Sequence, residues 1–179
     1  MSRIPTTLDP GVLPAPELQA MRLDGELFAL VDSWCPVDVV ETPEVRARAV
    51  MAARSPRLVA AGRTAAWIWG ALPVLPRPIE LCTDVRARAR LHPGADAVVH
   101  EYVLDDGDVA AFDDAPVTTP LRTLIDLARG GGADDDVLRS LAHDGGIHLD
   151  DALALIRRRA LPGRRRARDA LARALLSPR

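Results

Sequence analysis

Seven arginines between residues 157 and 168 are the densest group of side chains in the sequence that could act chemically. Arg164 and Arg168 stand one helical turn apart, with Arg165 beside them. Guanidinium groups bind phosphate, so the segment is a candidate contact for the DNA backbone, with an affinity that falls as salt rises. The candidate DNA-binding residues are Arg157, Arg158, Arg159, Arg164, Arg165, Arg166 and Arg168, with Arg22 near the N-terminus as a weaker contributor.

The uneven distribution of charge leaves a second interpretation open. Residues 157–179 hold nine arginines and one acid, whereas residues 1–156 hold 14 arginines and 24 acids. Residues 96–136 alone carry eleven acids against two arginines. The basic segment could therefore be a solvated face, or it could fold over the protein's own acidic surface. We see no base-reading element beside it, so the expected contact is with phosphates.

The residue types argue against most enzyme classes. The chain contains no lysine, which excludes a Walker-type phosphate loop and Schiff-base chemistry. Neither GxSxG nor HExxH is present, and Cys35 and Cys82 have neither disulfide-framework nor metal-site spacing. We therefore expect no catalytic residues and no cofactor.

One group of carboxylates keeps a metal-dependent alternative open. Glu80, Glu101 and Asp105, with His100, could hold a divalent cation if neighbouring strands brought them together. Acidic turn residues that solvate the DDGD loop are the favoured interpretation. We predict no metal site.

Two absences lead us to expect a cytoplasmic protein. No stretch approaches the roughly 18 to 20 apolar residues of a membrane span, and the N-terminal MSRIPTTLDPG lacks the apolar core of a signal peptide.

The periodicities predict an α+β fold. A small mixed or antiparallel sheet with packed helices should follow a degenerate wing-like N-terminal module, with the division at residue 42 and the second domain at 43–179. In the module we expect a disordered lead-in, a short helix and a hairpin within 25–38. A hairpin with an Arg-rich tip should join strands 78–83 and 97–104. Another strand is expected at 116–118, and helices are expected at 43–54, from 63 to about 70, from 120 to about 130, 133–143, 150–161 and 164–176.

The turn before residue 120 has a clear physical logic. Thr118 or Thr119 can cap the helix, and Pro120 suits its first turn. Arg122 should pair with Asp126 one turn further on. These are roles in building the fold.

Four segments together resemble the AbiEi-type antitoxins of type IV toxin–antitoxin systems in high-GC bacteria. They are GRTAAWIWGAL, PIELCTD, VVHEYVLDDGDV and APVTTPLRTLIDLAR, and the likeness is specific over about residues 58–129. The positions that match the family motif are Thr64, Gly70, His100, Asp108, Thr119, Pro120, Arg122, Thr123 and Asp126.

The resemblance implies an antitoxin that represses its own operon and counters a nucleotidyltransferase-like toxin without binding it tightly. Family members usually carry an N-terminal winged helix-turn-helix, and some relatives continue into a Vsr-like endonuclease domain. Here we expect only a reduced winged-helix module and no nuclease domain.

We therefore predict an antitoxin-like or transcriptional regulatory protein that acts by binding rather than catalysis. Its expected partners are double-stranded DNA and a nucleotidyltransferase-like toxin, with no membrane. The alternatives are a protein–protein interaction module without DNA binding and a degenerate metal-dependent nucleotidyltransferase or nuclease relative.

Overall fold

A computed structural model describes residues 7–8, 11–52, 54–87, 96–131, 133–159 and 162–176. These residues have an α+β fold, as predicted, with seven helices and seven strands. The strands are β1 (Leu27–Leu30), β2 (Ser33–Pro36), β3 (Val59–Ala60), β4 (Ile79–Asp84), β5 (Ala97–Tyr102), β6 (Val109–Phe112) and β7 (Ala115–Thr118). The helices are α1 (Ala15–Leu23), α2 (Pro43–Met51), α3 (Gly62–Ile68), α4 (Pro120–Gly130), α5 (Asp135–Asp144), α6 (Leu149–Arg158) and α7 (Arg164–Leu176).

The main sheet is mixed and has the order β5-β4-β3-β7-β6. Strands β5 and β4 run parallel, as do β3 and β7, whereas β3 is antiparallel to β4 and β7 is antiparallel to β6. Neither the central strand β3 nor the edge strand β6 was predicted.

The predicted hairpin between β4 and β5 is wrong. Ile79 pairs with Ala97 and Asp84 with Tyr102, so the two strands run in the same direction. Twelve residues separate them, and a parallel pair needs a return crossover of about that length, whereas hairpin loops usually have about two to five residues. The Arg-rich connection lies largely outside the described residues.

The N-terminal segment contains the predicted short helix and hairpin. Strands β1 and β2 pair antiparallel, and Leu18 of α1 packs in a small cluster with Leu8 and Leu27. Leu30 and Cys35 of the hairpin belong instead to the core that also holds α2 and the sheet. The division at residue 42 and the winged-helix nature of this segment stay predictions, and most of the expected lead-in lies outside the described residues.

A helical layer centred on α4 covers the other end of the fold. Its core is built from aliphatic side chains of α4, α5, α6 and α7, including Leu124, Leu138, Ile156 and Leu171. The four predicted C-terminal helices are confirmed within a few residues. α6 ends at Arg158 rather than near residue 161, because Arg159 adopts an extended backbone; residues 160–161 lie outside the described part of the chain.

Two earlier helices are also confirmed. α2 begins at Pro43, and the Thr42 side chain accepts a hydrogen bond from the Val45 amide at 3.3 Å, as the cap prediction required. α3 ends at Ile68, because Gly70 takes a φ of 90°, in the left-handed region that favours glycine.

Candidate nucleic-acid interface

The strand-to-helix turn between β7 and α4 has the predicted cap. Thr119 is the N-cap residue, and its hydroxyl accepts a hydrogen bond from the Arg122 amide at 3.4 Å. Pro120 occupies the first helical position. The hydroxyls of Thr118 and Thr123 are 2.7 Å apart, and both residues are buried. Side-chain hydrogen bonds therefore connect the end of β7 to the first turn of α4.

Arg122 is buried at the centre of a charge network. Its exposed fraction is 2%, and its guanidinium donates to Asp126 Oδ2 and to Asp108 Oδ2, both at 2.6 Å. It also donates to the Val103 carbonyl at 3.1 Å, and its Cζ lies 5.2 Å from the centroid of the Tyr102 ring. The predicted Arg122–Asp126 pair is confirmed, and Asp108 is a second anionic partner that the helical spacing did not indicate.

Two further arginines complete the network from neighbouring elements. Arg159, just beyond α6, donates to Asp108 Oδ2 at 2.5 Å and lies 3.1 Å from Asp105 Oδ2. Arg129 donates to Asp126 Oδ1 and to the Pro162 carbonyl, both at 2.7 Å. The network therefore ties the β5–β6 loop, α4 and the α6–α7 connection together.

The electrostatics of the network favour the charged forms of Asp108 and Arg122, whereas burial raises the pKa of Asp126 despite its hydrogen bond from Arg122 and the charge of Arg129. Burial opposes ionisation of Asp108, but hydrogen bonds from Arg159 and from the Asp105 amide, with the charge of Arg122, hold the pKa of Asp108 below its usual value. Burial also disfavours the charged guanidinium of Arg122, yet the adjacent Asp126 and Asp108 raise its pKa. The carboxylates of the network accept hydrogen bonds from its own guanidinium groups.

The other motif positions also have structural roles. The Thr64 hydroxyl accepts a hydrogen bond from the Glu80 amide at 2.8 Å, linking α3 to β4. Glu80 Oε2 in turn accepts from the Arg63 amide at 2.9 Å, next to Gly62. His100 is exposed on β5, and its ring stacks on Tyr102 with centroids 5.8 Å apart.

The candidate metal ligands are not brought together. Glu80 is level with Val98 in the β4–β5 register, so Glu101, three residues further along, faces the opposite side of the sheet. Asp105 pairs with Arg159. Among the described residues, no group of three or more His, Cys, Asp or Glu side chains could hold a metal ion.

Both cysteines are buried and free. Burial raises the pKa of Cys35 to about 11 and that of Cys82 to about 12. Both thiols therefore stay protonated near neutral pH, which does not suit a nucleophile or a metal ligand.

Six of the predicted DNA-binding arginines form an exposed surface, called here the arginine surface. They lie at the end of α6 and on the first turns of α7, and none of the ion pairs between described residues involves them. Arg166 also lies next to Gly131, the C-cap residue of α4, with Cδ 3.2 Å from the position that a Cβ on Gly131 would take. The members are Arg157, Arg158, Arg164, Arg165, Arg166 and Arg168, all exposed.

The apolar side of α7 holds the arginine surface in place. Ala167, Leu171 and Ala174 are fully buried in the helical core. At the far end of the helix, Arg173 pairs with Asp135 at 2.8 Å, and Arg139 donates to the Ala174 carbonyl at 3.2 Å. The arginines of the first turns therefore project from a helix that is packed into the body of the protein.

The two remaining candidates lie elsewhere. Arg159 is 14% exposed and is engaged with Asp108 and Asp105, so it is part of the buried network rather than of the arginine surface. Arg22 is exposed on α1, with its Cζ 5.5 Å from the centroid of the Trp34 ring. Sequence reasoning missed Arg129 in the network, although its spacing of three residues from Asp126 is a readable signal.

Comparison with known proteins gives no family for this chain and a distant structural likeness. No protein-family model matches the chain, and no curated protein matches it. A crystal structure of the RV2827C protein from Mycobacterium tuberculosis is a distant neighbour, with 16% sequence identity and a TM-score of 0.41, covering 94% of this chain and 76% of that one. A likeness at this level carries no argument about fold or function. Within the described residues, no helix is long and apolar enough to cross a membrane.

Proposed function

We propose that this protein is an antitoxin-like or transcriptional regulator of the cytoplasm that acts by binding double-stranded DNA through the arginine surface. The observation that carries the proposal is a set of six exposed arginines with no ion pair to a described residue, on a helix fixed by its buried side. Exposed guanidinium groups on a packed helix neutralise backbone phosphates and release counterions, which supplies affinity without reading sequence.

In the alternative, the basic segment folds over the acidic body of the protein. The ion pairs that fit this alternative involve two arginines that are not part of the arginine surface. Arg159 and Arg173 pair with Asp108 and Asp135. These contacts attach the connection before α7 and the end of α7 to the body. The six arginines of the arginine surface remain outside these contacts, which favours an external polyanion over an internal clamp.

The antitoxin part of the proposal comes from the resemblance to the AbiEi-type family. The motif residues that carry it have roles in the fold, such as the Thr119 cap and the buried Arg122 pair. They therefore support a shared architecture, and function borrowed through an architecture is an analogy. A nucleotidyltransferase-like toxin as functional partner belongs to this part of the proposal.

The experiment compares the full chain with a variant in which the six arginines of the arginine surface are replaced by alanine. Substitution is preferable to removal of α7, because Ala167, Leu171 and Ala174 are part of the core. Binding to a fluorescein-labelled duplex of the gene's own promoter, and to a scrambled duplex, is followed by anisotropy at low salt. Circular dichroism checks that the variant is folded.

We expect the wild-type protein to bind and the variant to lose binding. Preference for the promoter duplex would support regulation, whereas equal binding to both duplexes would reduce the role to backbone contact. Absence of wild-type binding at low salt would contradict DNA binding and leave the protein–protein interaction module as the function to test.

A further inference from the structure

The first residues after β4 are held in a defined turn that presents another arginine. The Arg86 amide donates to Asp84 Oδ1 at 2.7 Å, and the Thr83 hydroxyl donates to the Ala87 carbonyl at 3.1 Å. The Ala87 amide in turn donates to the Asp84 carbonyl at 2.8 Å. The backbone at Arg86 is therefore positioned by hydrogen bonds from both sides of the turn.

This turn faces the end of α6 across an open cleft of about 510 Å³. The cleft brings together two Arg-rich parts of the sequence that are separated by about 70 residues. Its lining residues are Arg86, Leu104, Asp105, Asp106, Arg158 and Arg159.

Arg86 is only loosely paired with two carboxylates. Its guanidinium nitrogens lie 3.9 Å from Asp84 Oδ1 and 4.0 Å from Asp105 Oδ1, and the side chain is 67% exposed. Arg159, on the same cleft, is 3.1 Å from Asp105 and 14% exposed. Asp105 is thus more closely paired with Arg159, and Arg86 and Arg158 present their charge to solvent.

We infer that the DNA-binding surface extends across this cleft, with Arg86 as a phosphate contact beside Arg158. This inference rests on the proposed function. The duplex backbone is then held by two separate segments of the chain, the turn after β4 and the α6–α7 region. The exposed carboxylate of Asp106 lies at the same cleft and weakens binding, because it repels the adjacent phosphate.

The test measures binding to a labelled duplex across a salt series for wild type, Arg86→Ala and a matched control, Arg77→Ala. Arg77 precedes β4, whereas Arg86 follows it, so a six-residue strand of about 20 Å separates the two. Arg77 is also exposed, at 51%, and lies 3.6 Å from its carboxylate partner Asp96. Arg86→Ala should make the slope of log K against log salt shallower by about 0.9 and weaken binding about eightfold at about 0.1 M salt.

Arg77→Ala should behave as wild type. A third variant, Asp106→Asn, should bind about twofold more tightly, the Coulomb effect of one charge about 8 Å from a phosphate in water. If wild type binds but Arg86→Ala matches it, or if both arginine variants shift equally, the inference is overturned and the proposed function stands. If wild type does not bind, the proposed function fails and this inference fails with it.

Discussion

Replacing Arg122 with methionine tests the view that the motif builds the fold. The substitution keeps a long side chain but removes the hydrogen bonds to Asp108, Asp126 and the Val103 carbonyl. Breaking a buried pair by removing one partner costs about 3–5 kcal/mol. We expect the lower end, about 3 kcal/mol, because Asp108 keeps Arg159 and Asp126 keeps Arg129. For a chain of this size, that loss lowers Tm by about 6–12 °C.

Thermal unfolding followed by circular dichroism measures the effect. The control is Arg173→Ala, which breaks an ion pair of an arginine that is 60% exposed and should leave Tm near that of wild type, because solvent screens the pair. A Tm for Arg122→Met within about 2 °C of wild type would refute the structural role of the network.

Three further predictions concern the same framework. The pKa of Asp108 in the folded protein lies below the usual value of 3.8. The contribution of ionised Asp108 to stability is therefore fully present above pH 3.8 and is lost as the pH falls through the folded pKa. The difference in unfolding free energy between wild type and Asp108→Asn should accordingly narrow in acid denaturation below pH 3.8. Gly62→Ala should destabilise more than Gly25→Ala in urea unfolding, because both have positive φ but only the Cβ at 62 would meet Glu80 Oε2, at 1.9 Å; equal effects would argue against that contact. Thr119→Ala should cost about 0.5–2 kcal/mol in the same assay, as expected for loss of an N-cap, and no change would mean that the cap contributes nothing.

The sequence predicted the local features of the fold well. The Thr119 cap, Pro120 in the first turn and the Arg122–Asp126 pair all depend on spacings of a few residues, which helical geometry makes readable. The same holds for the hairpin within 25–38.

Long-range relationships could not be predicted in the same way. Asp108 and Arg159 are 51 residues apart, and no periodicity links them, so Arg159 was assigned to the DNA surface although it is held in the buried network. The direction of β5 relative to β4 depends on the course of the connection between them. Neither residue composition nor strand propensity determines that course.

The most direct test of the central claim is the slope of log K against log salt for wild-type binding to duplex DNA between about 50 and about 200 mM. If at least four of the six arginines of the arginine surface contact phosphates, the slope should be about −3.6 or steeper, and it should become shallower by about 3.6 or more in the variant that lacks all six. A wild-type slope near zero, or an equal slope in the variant, would contradict the claim that the arginine surface binds DNA.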